Sequence, residues 1–205
     1  MSIKIITISR EYGSGGHLIG QMLAQDLVLA FYDKEIVSLV AKESGFDIDY
    51  INKTGETAKS KFWDGAYLAG SRGTSPYLGN NLLSNRDKIQ ILQSKIIRNL
   101  ADQVPCVIVG RCADYILNDR DDVLNVFIHS DIKSREKRVR EEYNIKNRNI
   151  KKEILTIDKA RSNHYEIYTG QKWGDSNNYD LTLNSGLFGL ENCKELIKSA
   201  YYSLK

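Results

Sequence analysis

The chain has 205 residues, of which 41% are hydrophobic and 27% are charged, and its formal net charge is +3. This composition is typical of a folded globular protein and excludes disorder of the chain as a whole. The length suits one large domain with inserted segments better than two independent domains. The net positive charge is modest, and glutamates interrupt the runs of basic residues, so the sequence gives no clear indication of a nucleic-acid partner.

The cysteines and the apolar runs bear on where the protein works. The three cysteines, Cys106, Cys112 and Cys193, are widely spaced and form no C-x-x-C pair, so they indicate neither a zinc site nor a disulfide framework. No signal segment and no run of about 20 apolar residues is apparent. We therefore expect a cytoplasmic protein without a membrane partner.

The first pattern in the chain is an apolar run that leads into glycines. The run holds Ile5, Ile6 and Ile8, which favour a buried strand. Glycine adopts backbone angles that other residues resist, so N–H groups of the following loop can converge on an anion. A helical apolar pattern comes next, and it would place the loop at the positive end of a helix dipole. The loop glycines are Gly13, Gly15 and Gly16, and the helical pattern is Leu18, Ile19, Met22, Leu23 and Leu27.

This glycine loop matches the phosphate-binding pattern G-x-x-x-x-G-K-[ST] incompletely. With Gly16 as its last glycine, the lysine falls on His17 and the hydroxyl residue on Leu18. Arg10 is a candidate replacement for the missing cation, and Ser9 or Ser14 for the hydroxyl. In this motif the hydroxyl residue binds the Mg²⁺ that accompanies a bound nucleotide. If neither serine takes that role, Mg²⁺ would be held by the nucleotide phosphates and by water. A plain strand-to-helix turn, with His17 binding no ligand, remains an alternative.

Strand and helix patterns alternate along the rest of the chain. The segment Thr54–Asn85 differs, since it mixes glycines, aromatics and serines without a period, and we interpret it as irregular or mobile. The alternation predicts a three-layer α/β fold with a parallel sheet and right-handed crossovers. The further predicted strands are Val28–Tyr32, Val104–Val109, Leu124–Ile128 and Tyr179–Leu183. The further predicted helices are a pattern at 36–40, then Arg86–Leu100, Ile132–Tyr143, Ile150–Tyr168 and Leu190–Tyr202.

Polar side chains follow these predicted strands. Arg10 and the glycine loop follow the first strand, Asp33 the second, Arg111 the third and Asp131 the fourth. In a parallel sheet they would share one rim, where α/β proteins bind ligands. We therefore expect them to converge on a single site.

Two groups of charged residues remain ambiguous from sequence alone. Arg111 can grip a phosphate or carboxylate through two hydrogen bonds, or it can pair with Asp114 at the surface. Asp158 and Arg161 lie three apart on one predicted helix face, so they can pair with each other or reach a ligand.

Several motifs in order resemble the cytidylate-kinase-like family, relatives of the nucleoside monophosphate kinases. They are residues 7–17 (TISREYGSGGH), 31–35 (FYDKE), 107–117 (VIVGRCADYIL), 158–161 (DKAR), 168–175 (YTGQKWGD) and 178–180 (NYD). The resemblance implies a single domain, 1–205, with a P-loop NTPase fold. Within it, an acceptor-side segment would cover 34–86 and a LID would cover 144–172.

The resemblance also implies an activity and a set of site residues. The activity is ATP- and Mg²⁺-dependent phosphoryl transfer to a pyrimidine monophosphate, most simply CMP or dCMP. The donor phosphates would be held by Arg10, Gly13, Ser14, Gly15, Gly16 and His17. Asp33, Arg111 and Asp114 would face the acceptor, and the catalytic groups would be Arg111 with Asp158 and Arg161 of the LID. Such reactions depend mainly on positioning and charge stabilisation.

The sequence departs from that family at His17, where a lysine is expected, and at Cys112, where an acidic residue is expected. Two alternatives therefore stay open: a catalytically impaired, nucleotide-binding regulatory module, and a kinase of a different small metabolite. The sequence predicts neither the metal ligands nor the oligomeric state.

Overall fold

The fold is built on a parallel β-sheet. A computed structural model of the chain describes residues 3–54, 83–142 and 149–203. Within them the sheet has five strands in the order β2-β3-β1-β4-β5, and every pairing is parallel. The strands are β1 (Ile5–Arg10), β2 (Ala30–Tyr32), β3 (Cys106–Val109), β4 (Val123–His129) and β5 (Leu181–Asn184). The three-layer α/β prediction is confirmed.

Helices connect the strands. They are α1 (Gly16–Leu27), α2 (Lys34–Ser44), α3 (Ile48–Thr54), α4 (Asn85–Gln103), α5 (Ala113–Ile116), α6 (Ile132–Glu141), α7 (Ile150–Thr169) and α8 (Ser185–Ser203). A 3₁₀ turn at Ser176–Asn178 precedes β5. Gly189 interrupts α8 with a φ of 79°.

The central strand β1 sends its side chains to both faces of the sheet. Ile6 and Ile8 are fully buried in a core that they share with α1 and α8. Ile5 points into a second core, shared with α2 and α4. Residues buried on both faces explain why β1 reads as a nearly continuous apolar run. The members drawn from helices are Ile19, Leu23, Cys193 and Ile197 in the first core, and Ile36, Val40 and Ile97 in the second.

Some predicted boundaries differ from the structure. Val28 is not in a strand: it ends α1 in a left-handed conformation, with φ 54° and 90% of its surface exposed. Val104 ends α4, and β3 begins only at Cys106. Helix α3 was not predicted. Apart from its ends, the irregular segment 54–85 lies outside the described residues, as does Tyr143.

The arrangement brings the carboxyl ends of β1, β2 and β3 to one edge of the sheet, because the strands run in the same direction. The glycine loop, Asp33 and Arg111 all follow at this edge. In the described part of the chain, no helix combines the length and the apolar character needed to cross a bilayer.

Candidate active site

The loop between β1 and α1 has the backbone of an anion cradle. Gly13 and Gly15 adopt left-handed conformations, with φ of 78° and 83°. The Ser14 amide and hydroxyl both donate to the Glu11 carbonyl oxygen, at 3.2 and 2.9 Å. Gly15 caps α1 without a side-chain hydrogen bond, and the first turn holds no acidic residue. The start of α1 therefore offers backbone N–H groups to an anion.

Space as well as backbone angle requires these glycines. A β-carbon at Gly13 would lie 2.9 Å from Cγ2 of Val139, and one at Gly15 would overlap Leu190. A β-carbon at Gly16 would lie 2.6 Å from Cβ of Arg10. The loop is thus packed tightly by β1, α6 and α8.

A buried arginine supports the loop from behind. Arg135 of α6 donates from Nε to the Tyr12 carbonyl oxygen at 2.9 Å, and its Nη1 lies 2.9 Å from Oε2 of Glu11. Its Nη2 pairs with Asp158 of α7, which also accepts from the Tyr12 amide at 2.7 Å. We call Arg135, Glu11, Tyr12 and Asp158 the Arg135 cluster. It ties the loop to two helices.

Two more arginines contact the loop backbone. Arg138 donates from Nη1 to the Gly13 carbonyl oxygen at 2.8 Å. Arg161 of α7 donates from Nη1 to the Arg10 carbonyl oxygen at 3.1 Å, and its guanidinium lies 5.7 Å from the centre of the Tyr12 ring. Sequence reasoning missed Arg135 and Arg138. The only signal was their spacing of three on a basic helix, which does not reveal a distant partner.

One open cavity of about 560 Å³ lies in front of the loop. This volume is within the usual range for small-molecule sites. Eight residues predicted for the site line it: Arg10, Gly13, Gly15, Gly16, His17, Asp33, Arg111 and Arg161. Lys34, Ser38 and Asn52, which were not predicted, line it as well. Arg10 and Arg161, which are 151 residues apart in sequence, thus line the same cavity.

His17 and Asp33 form a pair inside this cavity. Nδ1 of His17 lies 2.8 Å from Oδ2 of Asp33, and the side chains are 37% and 13% exposed. The imidazole and the Phe31 ring also pack nearly perpendicular to each other, with ring centres 5.5 Å apart. These two contacts fix the orientation of the ring.

Arg111 is held in an uncommon backbone conformation. Its φ is 61°, and that of the following Cys112 is 54°, so two successive residues other than glycine are left-handed. Each such residue costs about 1–3 kcal/mol, and such strain concentrates at functional sites. The Arg111 carbonyl oxygen accepts from Nε2 of Gln93 at 3.4 Å. The side chain is 9% exposed and lines the cavity.

Three predicted site residues lie behind the cavity wall. Ser14 is fully buried, and Asp158 belongs to the Arg135 cluster. Asp114 is 6% exposed and accepts a 2.6 Å hydrogen bond from the Tyr165 hydroxyl. Burial and this carboxylate raise the pKa of Tyr165 well above its ordinary value. Asp131, which was also expected at the site, does not line the cavity: it caps α6 by accepting from the Ser134 amide at 3.0 Å.

Among the described residues, the side chains at the cavity could hold Mg²⁺ only together with a bound phosphate. The described residues contain no group of three or more histidines, cysteines or acidic residues that could hold a metal ion. The Ser14 hydroxyl is engaged by Glu11, and that of Ser9 accepts from Trp173 at 3.3 Å. Mg²⁺ commonly binds through one or two carboxylates, phosphates and water. Glu11 also lines the cavity but is paired with Arg135, so Asp33 is the better placed carboxylate for that role.

A parallel sheet in this strand order, with a glycine loop between β1 and α1, defines a P-loop NTPase fold of the kinase type. The chain belongs to the cytidylate kinase-like family, whose model matches residues 5–187. The family resemblance drawn from the motifs is thereby confirmed. No curated protein matches the sequence at a significant level.

Solved structures agree with this fold. An uncharacterized protein from Eubacterium ventriosum is 28% identical, with a TM-score of 0.72 and coverage of 98% of this chain and 99% of that one. A shikimate kinase from Acinetobacter baumannii, in complex with shikimate, is 12% identical, with a TM-score of 0.54 and coverage of 99% and 95%. TT1252 from Thermus thermophilus is 14% identical, with a TM-score of 0.54 over the whole of both chains. The family and the fold together support a nucleotide-dependent kinase of a small molecule.

Proposed function

We propose that this protein transfers the terminal phosphoryl group of Mg·ATP to a nucleoside monophosphate, most simply CMP or dCMP, in the cytoplasm. The observation that carries the proposal is that the glycine loop, Arg111 and Arg161 line one cavity. Phosphoryl transfer needs little covalent chemistry from the protein. It needs a loop that binds the phosphates, and it needs cations around the phosphoryl group that is being transferred. This cavity supplies both.

The donor phosphates would bind along the glycine loop. Backbone N–H groups at the start of α1 and the cation Arg10 would hold them, with Gly13, Gly15 and Gly16 forming the backbone of the loop at the cavity. ATP would supply the phosphoryl group. Asp33, held by His17, would help to bind its Mg²⁺ through water.

The acceptor would enter on the side of Asp33 and Arg111. A phosphate group on the acceptor suits the flat, permanently charged guanidinium of Arg111, which is positioned by its left-handed backbone. Arg161, attached to the carbonyl oxygen of Arg10, would stabilise charge between donor and acceptor. Asp158 and Asp114 would act indirectly, Asp158 through Arg135 and Asp114 at the base of the Arg111 turn.

A coupled assay of ADP release tests this function. We expect Mg·ATP turnover that depends on one member of a panel of nucleoside monophosphates, with a reaction lacking acceptor as the blank. Arg111→Ala should lower kcat/KM by roughly 100-fold or more, as the loss of one charged transition-state contact does. Arg98→Ala is the matched control, because Arg98 is 44% exposed and pairs with Asp119 at the surface.

One observation favours a second candidate, a regulatory module that binds nucleotide without transfer. No lysine directly follows the glycine loop, and the imidazole of His17 in the first turn of α1 is paired with Asp33. That module would bind ATP and show no ADP release with any acceptor. A kinase of another small metabolite would stay silent on the nucleotide panel and respond to hydroxyl- or carboxyl-bearing acceptors.

A further inference from the structure

The residue at which α1 begins aligns the phosphate-binding pattern with the chain differently from the alignment made on the sequence alone. The loop ends at Gly15, which is left-handed and caps α1, and the helix begins at Gly16. In the motif, a glycine closes the loop and the lysine follows it into the helix. The position of the motif lysine therefore falls on Gly16, which has no side chain. His17 then falls on the position of the hydroxyl residue.

The space above Gly16 is filled by another residue. A β-carbon at Gly16 would lie 2.6 Å from Cβ and 3.0 Å from Cγ of Arg10, and 3.4 Å from Cβ of Ile128. Real β-carbons essentially never show contacts under 3.0 Å. A side chain at residue 16 and the stem of Arg10 therefore exclude each other.

Arg10 is also well placed to replace the missing charge. It is the last residue of β1, it is partly buried, and it lines the cavity together with Gly13, Gly15 and Gly16. Its guanidinium is permanently charged and presents a flat fork of donors to phosphate oxygens.

We propose that Arg10 is the polyphosphate-binding cation of this loop and takes the place of the motif lysine by delivering its charge from the end of β1. Residue 16 is a glycine because the stem of Arg10 fills the space that a side chain there would need. The inference rests on the proposed function for the identity of the donor nucleotide. It explains how a loop without the lysine can still hold a triphosphate.

The other cations of the cavity have different places. Arg161 approaches from α7 and donates to the carbonyl oxygen of Arg10. Arg111 follows β3, and Lys34 opens α2. Among these four cations, Arg10 is the one whose stem occupies the position of a residue-16 side chain.

Titration calorimetry with inorganic tripolyphosphate and with Mg·ATP tests the inference. Arg10→Met keeps a stem against Gly16 and removes only the charge, so we expect both dissociation constants to rise roughly 10- to 100-fold. Arg10→Lys should retain most of the affinity. Arg98→Ala, which removes an arginine paired at the surface, should stay within about twofold of the parent protein.

A relocation of the charge makes the test specific. Gly16→Lys alone should weaken binding because of the clash with Arg10. In the double variant Arg10→Gly/Gly16→Lys the clash is gone, and we expect at least tenfold tighter binding of tripolyphosphate than in Arg10→Gly. Far-UV circular dichroism checks that each variant is folded.

The outcomes separate this inference from the proposed function. Unchanged tripolyphosphate and ATP affinity in Arg10→Met would overturn the inference while leaving the kinase proposal intact. Failure of the parent protein to bind either probe would overturn it as well. Arg10-dependent binding without turnover on any acceptor would support the inference and count against the proposed function.

Discussion

Replacement of Arg135 by methionine should destabilise the protein strongly. The Arg135 side chain is 5% exposed and contacts two carboxylates, those of Glu11 and Asp158, as well as the Tyr12 carbonyl oxygen. Methionine fills much of the same volume but carries no charge and no donor. Two carboxylates would then lie close together without the cation between them.

The size of this effect follows from the burial of the partners. Removal of one member of a buried ion pair costs about 3–5 kcal/mol. The side chains of Glu11 and Asp158 are 26% and 14% exposed, so water can partly solvate them, and we expect the lower end, about 3 kcal/mol. For a chain of this length that corresponds to a fall in Tm of roughly 6–12 °C.

Urea unfolding and thermal unfolding measure the loss directly. The control is Arg98→Met, because Arg98 and Asp119 are 44% and 60% exposed and their pair should contribute at most about 1 kcal/mol. Adding Asp158→Asn to Arg135→Met should recover part of the loss, since it removes one of the opposing charges. Equal losses in Arg135→Met and Arg98→Met would refute the reasoning.

Three further outcomes are expected. Gly15→Ala should cost about 2–4 kcal/mol in urea unfolding, from a left-handed backbone and a blocked β-carbon, and Gly170→Ala, which has open space around it, only about 1–2 kcal/mol. Burial and Asp114 raise the pKa of Tyr165. The folded protein therefore keeps a proton that the unfolded chain releases near pH 10, so stability should fall above about pH 10, and less steeply in Tyr165→Phe. Burial raises the pKa of Cys106 to about 12, and Cys112 and Cys193 are buried as well. All three thiols of the native protein should therefore react slowly with Ellman's reagent at pH 8, and fast reaction of any of them would contradict its burial.

Patterns of neighbouring residues predicted most of the fold. The apolar run at β1 and the helical spacing after the glycines depend on local burial, and both elements lie where they were expected. Val28 shows the limit of this reasoning. Its side chain suits a strand, but the chain must turn there to leave α1, so it is exposed in a left-handed conformation.

The site was predictable where strand ends supply it. Asp33 and Arg111 follow strands that share an edge, and both line the cavity. The partners of Asp158 were not predictable, because Arg135 lies 23 residues away on another helix, and helical spacing pointed to Arg161 instead. Contacts between separate elements leave no periodic signal in the sequence. The catalytic and binding roles of these residues stay predictions.

The left-handed backbone at position 111 favours glycine, whereas the proposed function needs the charged side chain of Arg111 there. Glycine accepts a φ of 61° without strain, so Arg111→Gly should be more stable than Arg111→Ala by about 1 kcal/mol. Among substitutions at this position, a mutant library screened for heat resistance alone should then enrich glycine. A library screened for phosphoryl transfer as well should keep arginine there, so comparing the two screens would measure how much stability the protein forgoes to hold that charge in the cavity.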